Sequence, residues 1–210
     1  MSFRLAQETL RLSLRDPFRI ARAEPGGGHA VTTVIVELRD DRYPGIVGVG
    51  EGYPDRYYGE TPETMAAVFP VLMEWMNAVP MDIEDQAQAS QHIARLGATW
   101  AADIRWNGAA KCALDIALHD FAGKVLGAPV HVLIGLPAEI PPTDFTIGID
   151  EPAVVAERAA RAAAFPALKI KLGGEQDVAT LRAVREVFTG PIRVDANTGW
   201  TRDDAERLLP

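Results

Sequence analysis

Apolar positions along this chain recur with two periods, and the period changes near the middle. Leu10, Leu12 and Leu14 alternate with polar neighbours until Asp16 and Pro17 end the run. A period of two is the pattern of a strand with one buried face. Residues 34–38 and 45–50 predict two further strands with a turn at Asp40 and Asp41, which makes an antiparallel sheet. Helical patterns follow. Thr61 before Pro62 predicts a capped helix over 61–78 that stops at Pro80, and others are expected over roughly 82–96 and 107–126, the last ended by Gly127. That third helix is apolar almost all round, so burial on several sides is expected, with Cys112 as a buried structural thiol.

After residue 137 strands and helices alternate: strand 144–149, helix 151–164, strand 167–174, helix 175–188, strand 192–197, and a last helix begun by Thr201. Strand, helix, strand in about thirty residues is a βαβ crossover with parallel strands. Repetition of that unit predicts a parallel sheet or a (β/α)8 barrel. Only three of its strands are present and the last helix has no strand to return to, so the chain reads as truncated. In 167–171 the alternation puts Lys169 and Lys171 on one face. In 192–197 it puts Asp195 and Asn197 on one face, at the carboxyl-terminal edge where parallel α/β sheets place their chemistry.

Composition narrows the classes. With a net charge of −8 and scattered basic residues, a nucleic-acid footprint is not expected. No stretch reaches the roughly 20 apolar residues of a membrane span and the N-terminus lacks a signal-peptide core, so a soluble cytoplasmic protein is expected. The glycine-rich segment 18–28 has no apolar period and no following helix, which predicts a mobile loop rather than a phosphate cradle. A second loop, 51–60, is rich in tyrosine. Asp115 and His119 stand four apart in a helix, but without a third ligand they read as a polar pair and not a metal site.

Lys169-Ile-Lys171 with Gly173-Gly174, the Val194-Asp-Ala-Asn-Thr-Gly-Trp200 run, residues 113–120 and residues 58–62 together resemble the muconate-lactonising subgroup of the enolase superfamily. Within it the similarity is to dipeptide epimerases of the L-Ala-D/L-Glu type. The resemblance implies an α+β capping domain over 1–123, followed over 124–210 by the first strands of an incomplete (β/α)8 TIM-like barrel. It implies that Lys171 removes the proton alpha to a carboxylate while Mg²⁺ stabilises the enediolate, a pattern general to the superfamily. Lys169 then supports Lys171, since a second cation on the same face favours the neutral amine. Asp195 matches a metal-ligand position. Thr146, Asn197 and Arg22 match positions near the substrate, Arg22 to meet a carboxylate.

The remaining metal ligands and a second lysine would lie beyond Pro210, so the 210 residues alone are expected to be inactive. The partner implied is a dipeptide or related carboxylate, with no nucleic acid and no membrane; a homo-oligomer is left open. Two other readings stand beside this one. Muconate cycloisomerase or o-succinylbenzoate synthase chemistry uses the same lysine strand, and a catalytically inactive fragment or binding module would retain the capping domain.

Overall fold

The computed structural model describes residues 3–22, 28–79 and 81–208. The chain divides into two units, one of Met1–Leu12 with Thr32–Glu139, the other of Ser13–Val31 with Ile140–Pro210.

In the first unit β1 (Arg4–Ser13), β2 (Ala30–Arg39) and β3 (Gly48–Gly52) form a sheet in that order, with β2 and β3 antiparallel and Val36 opposite Gly50. The three expected strands are present with shifted bounds. β1 lies at the edge, ends before Leu14 and leaves Leu12 exposed, so the Leu10–Leu12–Leu14 alternation does not mark a buried face. β2 buries Val34, Val36 and Leu38. The turn after it is held by buried Asp40, which accepts the Arg42 N–H at 2.9 Å and pairs with the Arg42 guanidinium at 2.7 Å. That guanidinium holds the Asp40 carboxyl below the ordinary aspartate range.

Three helices complete the core. The first, α1 (Pro62–Ala78), starts at the expected Thr61, whose side chain accepts the Thr64 N–H while Thr64 returns a bond to the Thr61 N–H. The second, α2 (Gln86–Asp103), starts four residues later than the pattern predicts, at an Asp85 cap, and runs seven residues further. Its extension carries Trp100 into the core, where Nε1 donates to the Leu72 carbonyl at 3.1 Å. The third, α3 (Gly108–Leu126), lies against β3. A Cβ at Gly48, Gly50 or Gly52 would come within 2.2, 2.0 and 2.4 Å of the carbonyl oxygens of Ala117, Ala113 and Ala109. Glycine at every second strand position therefore meets alanine at every fourth helix position, and the two backbones touch.

As expected, α3 is buried on several sides, but Cys112, expected to be a buried thiol, is not among its buried residues. Cys112 and Ile116 are exposed, because they lie off the 109/113/117 and 110/114/118/121/122 positions along which the helix is embedded. Partial burial, with Asp115 nearby, still raises the Cys112 thiol above its ordinary range. A single turn, α4 (Val130–Leu133), follows, which the pattern did not predict.

The second unit runs β4 (Asp144–Ile147), α5 (Pro152–Arg161), β5 (Ala167–Lys171), α6 (Asp177–Val187), β6 (Ile192–Asp195) and α7 (Arg202–Leu208). The strands are parallel in the order β4-β5-β6. Ile147, Leu168 and Ile170 are buried against Val155 and Ala159 of α5 and Val184 of α6. Burial of each such aliphatic chain is worth about 1.5–3 kcal/mol. The residues between them in sequence face the other way, which frees that side of the sheet for polar groups.

Residues 18–22, expected in a mobile loop, are instead tied into this unit. Phe18 N–H donates to Gly28 O at 2.8 Å, and Ile149 N–H donates to Arg19 O at 2.9 Å. Residues 23–27 of that expected loop lie outside the described residues.

Candidate active site

The lysines of β5 and the aspartate of β6 are brought together by the parallel register. Lys171 stands opposite Asp195 and Lys169 opposite Arg193, so all four share the polar face. Lys171 Nζ donates to Asp195 Oδ2 at 2.8 Å, and Lys169 Nζ lies 2.9 Å from the same oxygen. The other oxygen, Oδ1, accepts the Asn197 N–H at 3.0 Å. The Lys171 ammonium first, then Lys169 and the Asn197 amide, hold the Asp195 carboxyl well below the usual carboxylate range. Lys171 is the more enclosed of the two amines, with 11% of its side chain exposed against 34% for Lys169.

Thr146 occupies the row of Lys169 on β4 and is half-buried. Further along the face, Arg193 Nη1 reaches across β5 to Asp144 at 2.6 Å.

Asn197 reaches the site by a different route from the one its spacing predicts. β6 ends at Asp195, and Asn197 and Thr198 both take left-handed backbone, at φ 45° and 66°. A turn therefore carries Asn197 back toward Asp195, where the strand alternation does not operate. Its Oδ1 is buried with no hydrogen-bond partner among the described residues.

Arg22 is exposed, in the turn that precedes residue 23. Arg19, which sequence reasoning passed over, lines with Lys171 a cavity of about 350 Å³. Its Nη1 lies 3.7 Å from Asp150, and its Nε is buried with no hydrogen-bond partner among the described residues. Only its place two residues after Pro17, which fixes the local backbone, could have drawn attention to it.

Asp177 was also missed. Buried at the start of α6, it accepts the N–H groups of Gly173 and Gly174 at 3.0 Å each and the Trp200 Nε1–H at 2.7 Å. It thereby joins the loop after the lysine strand to the loop after the aspartate strand. An acid four residues past a glycine, at a helix start, was the available signal.

The chemistry these groups permit is proton transfer by an amine beside a fixed negative charge, and cation binding by oxygen. Asp195 and Asn197 are the candidates to offer oxygen to a cation. No group of three or more His, Cys, Asp or Glu side chains suited to a metal occurs among the described residues. Asp115 and His119 form the polar pair expected of them, with His119 Nδ1 3.4 Å from the Asp115 carboxylate. No helix among the described residues is long and apolar enough to cross a membrane.

The chain as a whole is similar to known proteins. The family model described as mandelate racemase / muconate lactonizing enzyme, N-terminal domain, matches residues 6–135, and that described as enolase C-terminal domain-like matches residues 153–210. The chain belongs to the mandelate racemase / muconate lactonizing enzyme family, and its fold is that of the enolase superfamily with an N-terminal α+β domain.

The L-Ala-D/L-Glu epimerase of Bacteroides thetaiotaomicron is 37% identical over 192 residues, covering 90% of this chain and 46% of that protein. The hydrophobic dipeptide epimerase of Enterococcus faecalis is 32% identical over 209 residues, covering 95% and 54%. Among solved structures, a dipeptide epimerase from Enterococcus faecalis complexed with Mg and L-Leu-L-Tyr superimposes with a TM-score of 0.82 at 29% identity, over 100% of this chain and 57% of that one. The chain thus spans about half the length of the curated relatives it matches.

Proposed function

We propose that these residues carry one half of the active site of a Mg²⁺-dependent dipeptide epimerase, acting as part of a longer chain. The observation that carries this reading is the convergence of Lys169 and Lys171 on one oxygen of Asp195, at 2.9 and 2.8 Å. Lys171 is the base: its Nζ takes the proton alpha to the substrate carboxylate from one face, and inversion is completed when an acid on the opposite face delivers a proton there. Lys169, on the same side of the sheet, supplies positive charge that disfavours protonation of its neighbour and steadies a bound carboxylate. Thr146, Asn197 and Arg22 line the substrate, with Arg22 meeting a carboxylate.

The residues present fit a magnesium ion in kind. Asp195 is an ionised oxygen donor and Asn197 Oδ1 has no hydrogen-bond partner among the described residues, whereas Mg²⁺ takes about six oxygens, so the remaining ligands come from elsewhere. When bound, the ion supplies positive charge to the substrate carboxylate and so acidifies the alpha proton. A lysine working from the opposite face, and the strands that close the barrel, belong on this reading to sequence beyond these 210 residues. Dipeptides with an acidic or hydrophobic C-terminal residue are the proposed substrates, supported by the activities named for the relatives.

The first test is the intact mass of the protein from its source, because five further βα units of about 30 residues would add roughly 150 residues. In the protein so isolated, Lys171→Ala is expected to lower exchange of the alpha proton of one dipeptide stereoisomer with D₂O by at least about 10²-fold. Undiminished exchange would remove Lys171 from the mechanism.

A further inference from the structure

Residues 18–21 cross the carboxyl-terminal ends of all three strands of the second unit, and each strand is followed by a glycine where they pass. After β4, a Cβ at Gly148 would stand 2.7 Å from the Arg19 nitrogen. After β5 and β6, a Cβ at Gly173 or Gly199 would stand 2.5 or 2.6 Å from the Cβ of Ala21. Carbon atoms in contact stay about 3.5–4.0 Å apart, so a side chain at any of the three positions would displace the segment. The Ile149 N–H to Arg19 O bond pins the crossing at its start.

The approach to this crossing is anchored as well. Buried Arg158 of α5 donates to the Pro17 carbonyl at 3.4 Å and to the Asp150 carboxylate at 2.8 Å, while Arg161 grips both oxygens of Asp16 at 2.7 and 2.8 Å. Phe18, between these anchors, places its ring 6.0 Å from Lys171 Nζ, within reach of a cation–π contact.

We propose that residues 18–21 form a fixed strap across the strand ends, and that Phe18, held there through Pro17 and Arg158, is a positioning residue for Lys171. A lysine stem has four rotatable bonds, and a free one samples many rotamers. The Phe18 ring closes one side of the space above β5, and Asp195 attracts the amine from the other. Lys171 is thereby confined to one direction. The strap stands on the geometry of the chain alone; the consequence for proton transfer rests on the role proposed for Lys171.

Two variants of the full-length protein isolated as above test this by NMR. Phe18→Leu removes the ring and keeps an apolar side chain. The Lys171 ε-methylene resonance is expected to lose its ring-current shift, while the Ile149 amide exchanges with D₂O at the wild-type rate. Gly148→Ala pushes the strap away, so the same Lys171 change is expected together with Ile149 exchange at least about tenfold faster. An unmoved Lys171 resonance in Phe18→Leu would overturn the positioning role. An Ile149 amide as slow in Gly148→Ala as in the wild type would overturn the strap. If Gly148→Ala does not fold, Arg158→Met loosens the anchor and gives the same reading of Ile149. Both signatures are read without substrate, so absence of epimerase activity would strike the proposed function and not the strap.

Discussion

Strands β3 and β5 are both five residues long and both alternate, yet they give their alternate positions opposite tasks. In β3 those positions are Gly48, Gly50 and Gly52, and the backbone of α3 occupies the space their side chains would have taken. In β5 they are Ala167, Lys169 and Lys171, and amines occupy it. One face is closed by backbone and made permanent; the other is lined with charge and left able to receive something. Period says that a strand has two faces, and residue type says what each face meets.

The largest effect expected from breaking this contrast is at Gly50. Its Cβ would fall 2.0 Å from the Ala113 carbonyl oxygen, so Gly50→Val should separate β3 from α3 and cost about 3 kcal/mol or more, at the top of the overpacking range, read from the urea midpoint. Next comes the polar face. Asp195→Asn should weaken Mg²⁺ binding by about tenfold or more by titration calorimetry, since it removes the charge of a proposed ligand, and it should leave the fold intact. An unchanged titration would show that Asp195 is not a ligand.

Arg158→Met should cost about 1–3 kcal/mol, because Asp150 loses its 2.8 Å partner in a partly enclosed setting. The smallest effect is at His119, whose bond to the Asp115 side chain raises it above the ordinary histidine range. A raised value in the folded state means that the contribution is complete below about pH 6.5, the unfolded value, and is lost as pH rises through the folded one. His119→Gln should therefore cost a few tenths of a kcal/mol near pH 5 and less near pH 8, the small size following from solvent screening at half-exposed Asp115.

The lysines and Asp195 were legible because strand alternation fixes a face before any tertiary contact is known. Asn197 was assigned to the right neighbourhood for the wrong reason: two consecutive left-handed residues break the alternation, and nothing in a period of two anticipates them. The end of α2 was missed because Trp100, which extends the helix, is held by a carbonyl 28 residues away. Cys112 was misread because apolar neighbours do not fix which side of a helix meets the core: α3 is buried on several sides, yet Cys112 stands on one that is not. Arg19 and Asp177 act through loops whose course is set by the strands they cross, and such contacts leave no periodic trace.

The bond from Trp200 to Asp177 has an optical consequence. The chain has four tryptophans, and Trp75, Trp100 and Trp106 all fall in the first unit, which leaves Trp200 as the sole indole of the second. Replacing those three by phenylalanine would give a protein whose fluorescence comes from one residue, hydrogen-bonded at 2.7 Å to the acid that joins the loops after β5 and β6. Its emission would then report ligand arrival at those loops directly, with no label attached.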